Sequence, residues 1–131
     1  MKYTTFVKNS GIFWDTTKQS EMKNKEKYIQ NRDVQDVIDV IGGRWRGAIL
    51  ASLCDKEKRF NELKRDLGNI TPRTLIKELK YLKFNKLVSR EAETESVVSV
   101  VYSLTKHGKS LKPLIGQIIA WGQIHRKMVL V

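Results

Sequence analysis

The sequence predicts a mainly α-helical chain with one small β-hairpin, an α+β arrangement in which helices supply the core. Three observations carry that class. Leu75, Leu79 and Leu82 recur at helical spacing in a stretch that Gly68-Asn69 and Thr71-Pro72 divide into two helices. Apolar residues repeat with the same period before that stretch, over Arg32–Leu53, and after it, beyond Pro113. Val97–Leu104 is dense in β-branched residues and directly follows the helical pair, with a shorter strand at Leu87–Glu91 ahead of it.

At 131 residues the chain suits one cored domain with an appendage, and its 40% hydrophobic content argues against disorder over most of its length. The net charge of +11 favours a polyanionic partner. From Asp55 to Arg90 eleven cations face five anions, so +6 of that excess is concentrated in one stretch, which a general solubility charge does not explain. Cys54 is the single cysteine, which excludes an intrachain disulfide and a cysteine-based metal cluster and suits a reducing cytoplasm. No apolar run reaches the ~20 residues of a membrane span. Lys8, Asn9 and Gly11 interrupt the first fourteen residues where a secretory signal needs an unbroken apolar run.

Residues 1–30 read as an N-terminal arm. Tyr3–Val7 and Ile12–Trp14 have β-type composition around an Asn9-Ser10-Gly11 turn, and Phe6, Phe13 and Trp14 call for a packing partner. Thr16–Lys27 fits a linker, a helix extension, or sequence ahead of a start at Met22. Arg32–Ile41 places Val34, Val37, Ile38 and Ile41 on one helical face, with Asp33 set to cap it and Gly42-Gly43 to end it. Arg44–Leu53 carries Trp45, Ile49, Leu50 and Leu53 on one side, a buried helix whose indole fills the core. A fully buried side chain of this kind contributes on the order of 1.5–3 kcal/mol, so Trp45→Ala is expected to unfold the domain.

After a charged connector, Asp55–Lys58, Asn61 is expected to cap a short helix that Gly68 and Asn69 end. Thr71 offers a hydroxyl to the orphan amides of the next helix, and Pro72 is already set at helical φ. Helix, tight turn, helix is the helix-turn-helix pattern. The leucine stripe of the second helix packs inward, and Arg73, Lys77 and Lys80 lie opposite, flanked by Thr74 and Tyr81. A solvated amphipathic helix shares this pattern, but cations and short hydroxyls opposite leucines also suit a DNA major groove. The hairpin that follows, with a polar tip at Glu93–Ser96, makes a winged helix-turn-helix. Thr105 can cap a last helix over Lys106–Met128, which Pro113 must kink or break. There Leu114, Ile115, Ile118, Ile119, Trp121, Ile124, His125 and Met128 form a wide apolar stripe that needs a partner. A second copy of the chain is preferred over its own domain. Residues 31–104 are thus assigned to the DNA-binding domain and 105–131 to a dimerisation helix.

Specific strings carry a resemblance beyond architecture. Asp39-Val40-Ile41-Gly42-Gly43-Arg44-Trp45-Arg46 resembles the D-x-I-G-G-K-W-K signature of HxlR-type winged helix-turn-helix regulators. Arg59-Phe60-Asn61-Glu62-Leu63 is similar to their R-F-N-E-L, and Ile70-Thr71-Pro72-Arg73-Thr74-Leu75 to their I-S-x-[KR]-x-L. Tyr102-Ser103-Leu104-Thr105 with Gly108, Leu111 and Pro113, and then Trp121-Gly122, match the end of the domain. The resemblance, from Asp33 to about His125, implies a bacterial, dimeric, DNA-binding transcription factor. Its recognition helix would start at Thr71, its wing would touch the minor groove, and the flanking helices would form the dimer. Members that sense oxidants often carry a Cys-Pro just before the first helix, where this chain has Asn31, Arg32 and Asp33. Cys54 is the one thiol left for a redox role. Lys56 and Lys58 favour its thiolate and a helix C-terminus opposes it, and a buried, inert cysteine is the preferred reading. Relatives commonly place prolines and a basic residue at the wing tip, whereas Glu93 and Glu95 here would repel phosphates.

The expected function is a homodimer on a palindromic operator, with recognition helices ~34 Å apart on double-stranded DNA. Arg73, Thr74 and Lys77 are assigned to base edges, and Lys64, Arg65, Lys80 and Lys83 to phosphates. Asn61 and Thr71 assist at helix starts, and Lys86 and Arg90 at the base of the wing. The alternative is a winged helix used for protein or RNA interaction. His107 and His125 have no nucleophile or ligand partner in sequence, so no enzyme, metal or cofactor is expected. The effector is left open.

Overall fold

The computed structural model describes residues 30–92 and 100–130. The chain divides into two compact units, Met1–Val37 and Ile38–Val131. The first is described only from residue 30, so the arm's expected strands and the options for Thr16–Lys27 lie outside the described residues, as does the hairpin tip Glu93–Ser96.

In chain order the elements are α1 (30–41), α2 (Arg46–Asp55), β1 (Lys58–Arg59), α3 (Phe60–Leu67), α4 (Pro72–Phe84), β2 (Val88–Ala92), β3 (Val100–Leu104), α5 (Lys106–Lys109) and α6 (Lys112–Val129). The fold is therefore mainly helical with a small antiparallel sheet in the order β1-β3-β2. Val88 pairs with Leu104 and Ala92 with Val100, while β1 adds a third strand through Lys58 opposite Tyr102. That strand was not expected, because Lys-Arg has no β signature of its own. It is extended because the free edge of β3 offers it a ladder.

The core is built from the predicted stripes. Ile49, Leu50 and Leu53 of α2 meet Leu63, Ile70, Leu75, Leu79 and Leu82 of the helical pair, with Leu87, Val88, Val100, Tyr102 and Leu104 from the sheet side. Two caps were placed wrongly from sequence. Asp33 lies within α1, which is already helical at residue 30. Asn61 lies inside α3; Arg59 is the N-cap, and its backbone N–H donates to Glu62 Oε1 at 3.0 Å. Trp45 is at the N-cap of α2, half-buried beside the core rather than filling it, with the Arg44 guanidinium 4.9 Å above its ring. Val34, Val37 and Ile38 of α1 are exposed, and only Val40 and Ile41 of that helix pack on the core.

The expected break before the last helix occurs at Ser110-Leu111. Pro113 sits in the first turn of α6, where its missing N–H breaks no helical bond. The α5 turn is held against the start of the hairpin. Thr105 donates its hydroxyl to the Lys86 carbonyl at 2.6 Å and accepts from the Gly108 N–H at 2.9 Å. A Cβ on Gly108 would collide with the Leu87 carbonyl oxygen, so only glycine permits this approach.

Candidate nucleic-acid interface

The turn before α4 is set by Gly68, whose φ of 82° lets its N–H close the end of α3 on the carbonyls of Lys64 and Arg65. Thr71 then caps α4. Its Oγ1 accepts from the Thr74 N–H at 3.2 Å, and its hydroxyl donates to Thr74 Oγ1 at 2.9 Å. Thr74 is consequently half-exposed, with one lone pair occupied. With Leu75, Leu79 and Leu82 buried, the outward arc of α4 consists of Arg73, Lys77 and Phe84, with Lys80 beside it; all four are exposed.

The flank on the other side of α4 does not belong to this surface. Tyr81 was expected beside the cations, but its hydroxyl donates to the Asp39 carbonyl at 3.1 Å and its ring lies 3.6 Å under the Arg46 guanidinium. Arg46 also donates to Glu78 Oε2 at 2.7 Å and to the same Asp39 carbonyl at 2.7 Å. One guanidinium thus ties α4 to the end of α1 and the start of α2. Gly42 and Gly43 between them turn the chain sharply, Gly43 at φ 75°. This hub fixes the roll of α4, and with it the direction of Arg73 and Lys77. Only the signature string pointed to Arg46; periodicity did not.

Asn61, Arg65, Thr71, Lys83, Lys86 and Arg90 are exposed and Lys64 is half-exposed. Among the described residues no carboxylate pairs with Arg65, Arg73, Lys77, Lys80, Lys83 or Arg90. Lys58 is the cation withdrawn from the set. It is 8% exposed, bonded to Asp66 and, at 3.0 Å, to Ser52 Oγ. Ser52 donates in turn to Asp66 Oδ2 at 2.7 Å. Hydrogen bonds from Lys58 and then Ser52 hold the Asp66 carboxyl below its ordinary range. Phe84, 83% exposed on the outward arc, went unnoticed in the sequence because it follows the last leucine of the stripe and reads as a helix end.

On α6, Leu114, Ile118, Ile119, Ile124 and Met128 are exposed, with Trp121 at 63%, and the Trp121 and His125 rings stack at 4.9 Å. Ile115 departs from the expected stripe: at 4% exposure it packs in the chain's own core. Cys54, at the end of α2, is half-buried against that core. Among the described residues no group of His, Cys, Asp or Glu is placed to hold a metal, and no helix is long and apolar enough to cross a membrane.

The HxlR-like helix-turn-helix family model matches residues 40–129. The chain belongs to that family. The HTH-type transcriptional regulator YybR of Bacillus subtilis (strain 168) is 36% identical over 110 residues, covering 84% of this chain and 88% of that protein. The reduced form of the redox regulator HypR superposes with a TM-score of 0.70 at 37% identity, over 74% of this chain and 96% of that one. The HTH-type transcriptional regulator ytcD gives 0.66 at 34% identity, over 72% and 96%. HxlR-like proteins are winged-helix transcriptional regulators, and the architecture expected from the sequence is the one they share. In this HxlR-like chain the signature Asp39–Arg46 is the segment that builds the hub beneath α4.

Proposed function

We propose that this HxlR-like chain is a transcriptional regulator that binds a two-fold symmetric operator as a homodimer. Residues 31–104 are the DNA-binding domain and 105–131 the dimerisation helix. The observation that carries the reading is α4 itself: three leucines and the Arg46 hub fix its inner and lateral faces, leaving Arg73, Lys77 and Lys80 outward, with no ion-pair partner among the described residues. Arg73 and Lys77 reach base edges in the major groove, and the Thr74 hydroxyl reads beside them. Lys64, Arg65, Lys80 and Lys83 hold phosphates, with Lys86 and Arg90 at the foot of the hairpin; Asn61 and Thr71 contribute at helix starts.

The α6 face supports the dimer. Isoleucines, leucine, tryptophan and methionine exposed along several turns of one helix are costly in water, and a symmetric copy covers them with the same residues. Selecting duplex fragments from a random pool tests the whole reading. Recovered sites are expected to carry inverted half-sites ~34 Å apart, protected by a species sedimenting at twice the chain mass. Replacing Ile118 and Trp121 with glutamate should give monomers that lose those sites. Recovery of unrelated sequences, or tight operator binding by the monomeric variant, refutes it.

A further inference from the structure

Two large apolar side chains of α4 remain in solvent, Ile76 at 44% exposure and Phe84 at 83%, while Leu75, Leu79 and Leu82 are buried. Ile76 lies in the first half of the helix, among the residues proposed to meet DNA. At about 100° per residue it falls ~60° around the axis from Arg73 and ~40° from Lys80. Thr74 falls ~100° away on the opposite side of Arg73, toward the Arg46 hub. Its hydroxyl is already bonded to that of Thr71. Ile76 therefore has Arg73 one turn before it, Lys80 one turn after it and Lys83 two turns after it. All three are exposed, with no ion-pair partner among the described residues. Helix propensity does not call for isoleucine here, since a β-branched residue forms helix less readily than the lysines around it.

A single exposed isoleucine is ordinary on a protein surface. What sets Ile76 apart is its company: cations on either side draw the same face of α4 onto phosphates, which carries its exposed methyl groups into the major groove. The floor of that groove presents hydrogen-bonding groups and one kind of methyl, on C5 of thymine. Isoleucine has no donor or acceptor to offer the hydrogen-bonding groups and would only strip water from them. Against the methyl it gains, because two apolar surfaces leave water together. Its χ1 is stiff in a helix, so those methyl groups are held in place with little rotamer freedom left to lose. We propose that Ile76 is a specificity-determining residue, packing on one thymine C5-methyl in each half-site beside the bases contacted by Arg73 and Lys77. This selection rests on the DNA-binding reading of α4 and adds a base identity to it.

Exchanging single thymines for deoxyuridine in a duplex selected from the random pool removes one methyl and nothing else. Binding of the natural chain should fall about three- to five-fold at one fixed thymine per half-site, as expected for one buried methyl group. Ile76→Ala should bind the thymine and deoxyuridine duplexes equally, and Ile76→Val should keep part of the difference. Phe84→Ala, ~12 Å farther along the helix, should keep all of it. Circular dichroism checks the fold of each variant, and the ratio between two duplexes does not move with a general loss of stability. Selective binding that no deoxyuridine exchange weakens, or a difference that Ile76→Ala leaves intact, overturns the role of Ile76 while the regulator reading stands. A chain that selects no duplex at all overturns both.

Discussion

Arg46 shows how much one side chain can settle. It is largely withdrawn from solvent, salt-bridged to Glu78, bonded to the Asp39 carbonyl and stacked on Tyr81. Removing it strands the Glu78 carboxylate and takes one donor from the Asp39 carbonyl, which keeps the Tyr81 hydroxyl. Arg46→Ala is therefore expected to lower unfolding stability by about 2–3 kcal/mol, read by urea denaturation. Arg46→Lys keeps the charge but not the fork or the stacking, and should recover only part of the loss. Lys58 and Asp66 make the second such site. Because hydrogen bonds from Lys58 and Ser52 lower the folded pKa of Asp66 from its ordinary 3.8, their stabilising contribution is full above that value. It is lost as the pH falls through it toward the lower folded pKa. A pH series of denaturation curves should show this acid-side decline in the natural chain. Asp66→Asn should flatten that part of the profile and lower stability at neutral pH, because it leaves the buried Lys58 ammonium without its main partner.

Among the elements, the end of α4 has the most specific geometry. Leu87 N–H bonds the Leu82 carbonyl at 3.0 Å and Lys86 N–H the Lys83 carbonyl at 2.9 Å, with Lys86 at φ 62° between them. This closure ordinarily takes glycine, and a side-chain-bearing residue there is strained by roughly 1 kcal/mol. Lys86→Gly is expected to raise the melting temperature while weakening DNA binding, which separates stability from contact in one variant. The sequence made α4 legible because its signals agree: Thr71 and Pro72 start it, and Leu75, Leu79 and Leu82 set its inner face. The hairpin was legible from valines. Other features were not, because their causes lie far away in the chain. Lys58 is a strand residue only beside Tyr102, Tyr81 leaves the cationic flank only because Asp39 and Arg46 are there, and Glu62 rather than Asn61 satisfies the amide at the start of α3.

At the scale of the whole fold, among the described residues, α4 and the foot of the hairpin carry a run of exposed cations together with Ile76 and Phe84, and α6 carries the longest run of exposed apolar residues. Two such chains joined at α6 would present two cationic helices to one duplex. In that arrangement affinity comes mainly from phosphate neutralisation, and sequence preference from Arg73, Thr74 and Lys77. The central claim is that the outward arc of α4 contacts DNA, and the most direct test is operator affinity of the natural chain, Arg73→Ala and Lys80→Ala across a range of salt concentrations. The natural chain should lose affinity steeply with salt. Lys80→Ala should reduce the log–log slope by about 0.9 per protomer contact removed. Arg73→Ala should cost about 1–3 kcal/mol with relaxed sequence preference. A salt-independent affinity, or an Arg73→Ala variant as tight and selective as the natural chain, would contradict it.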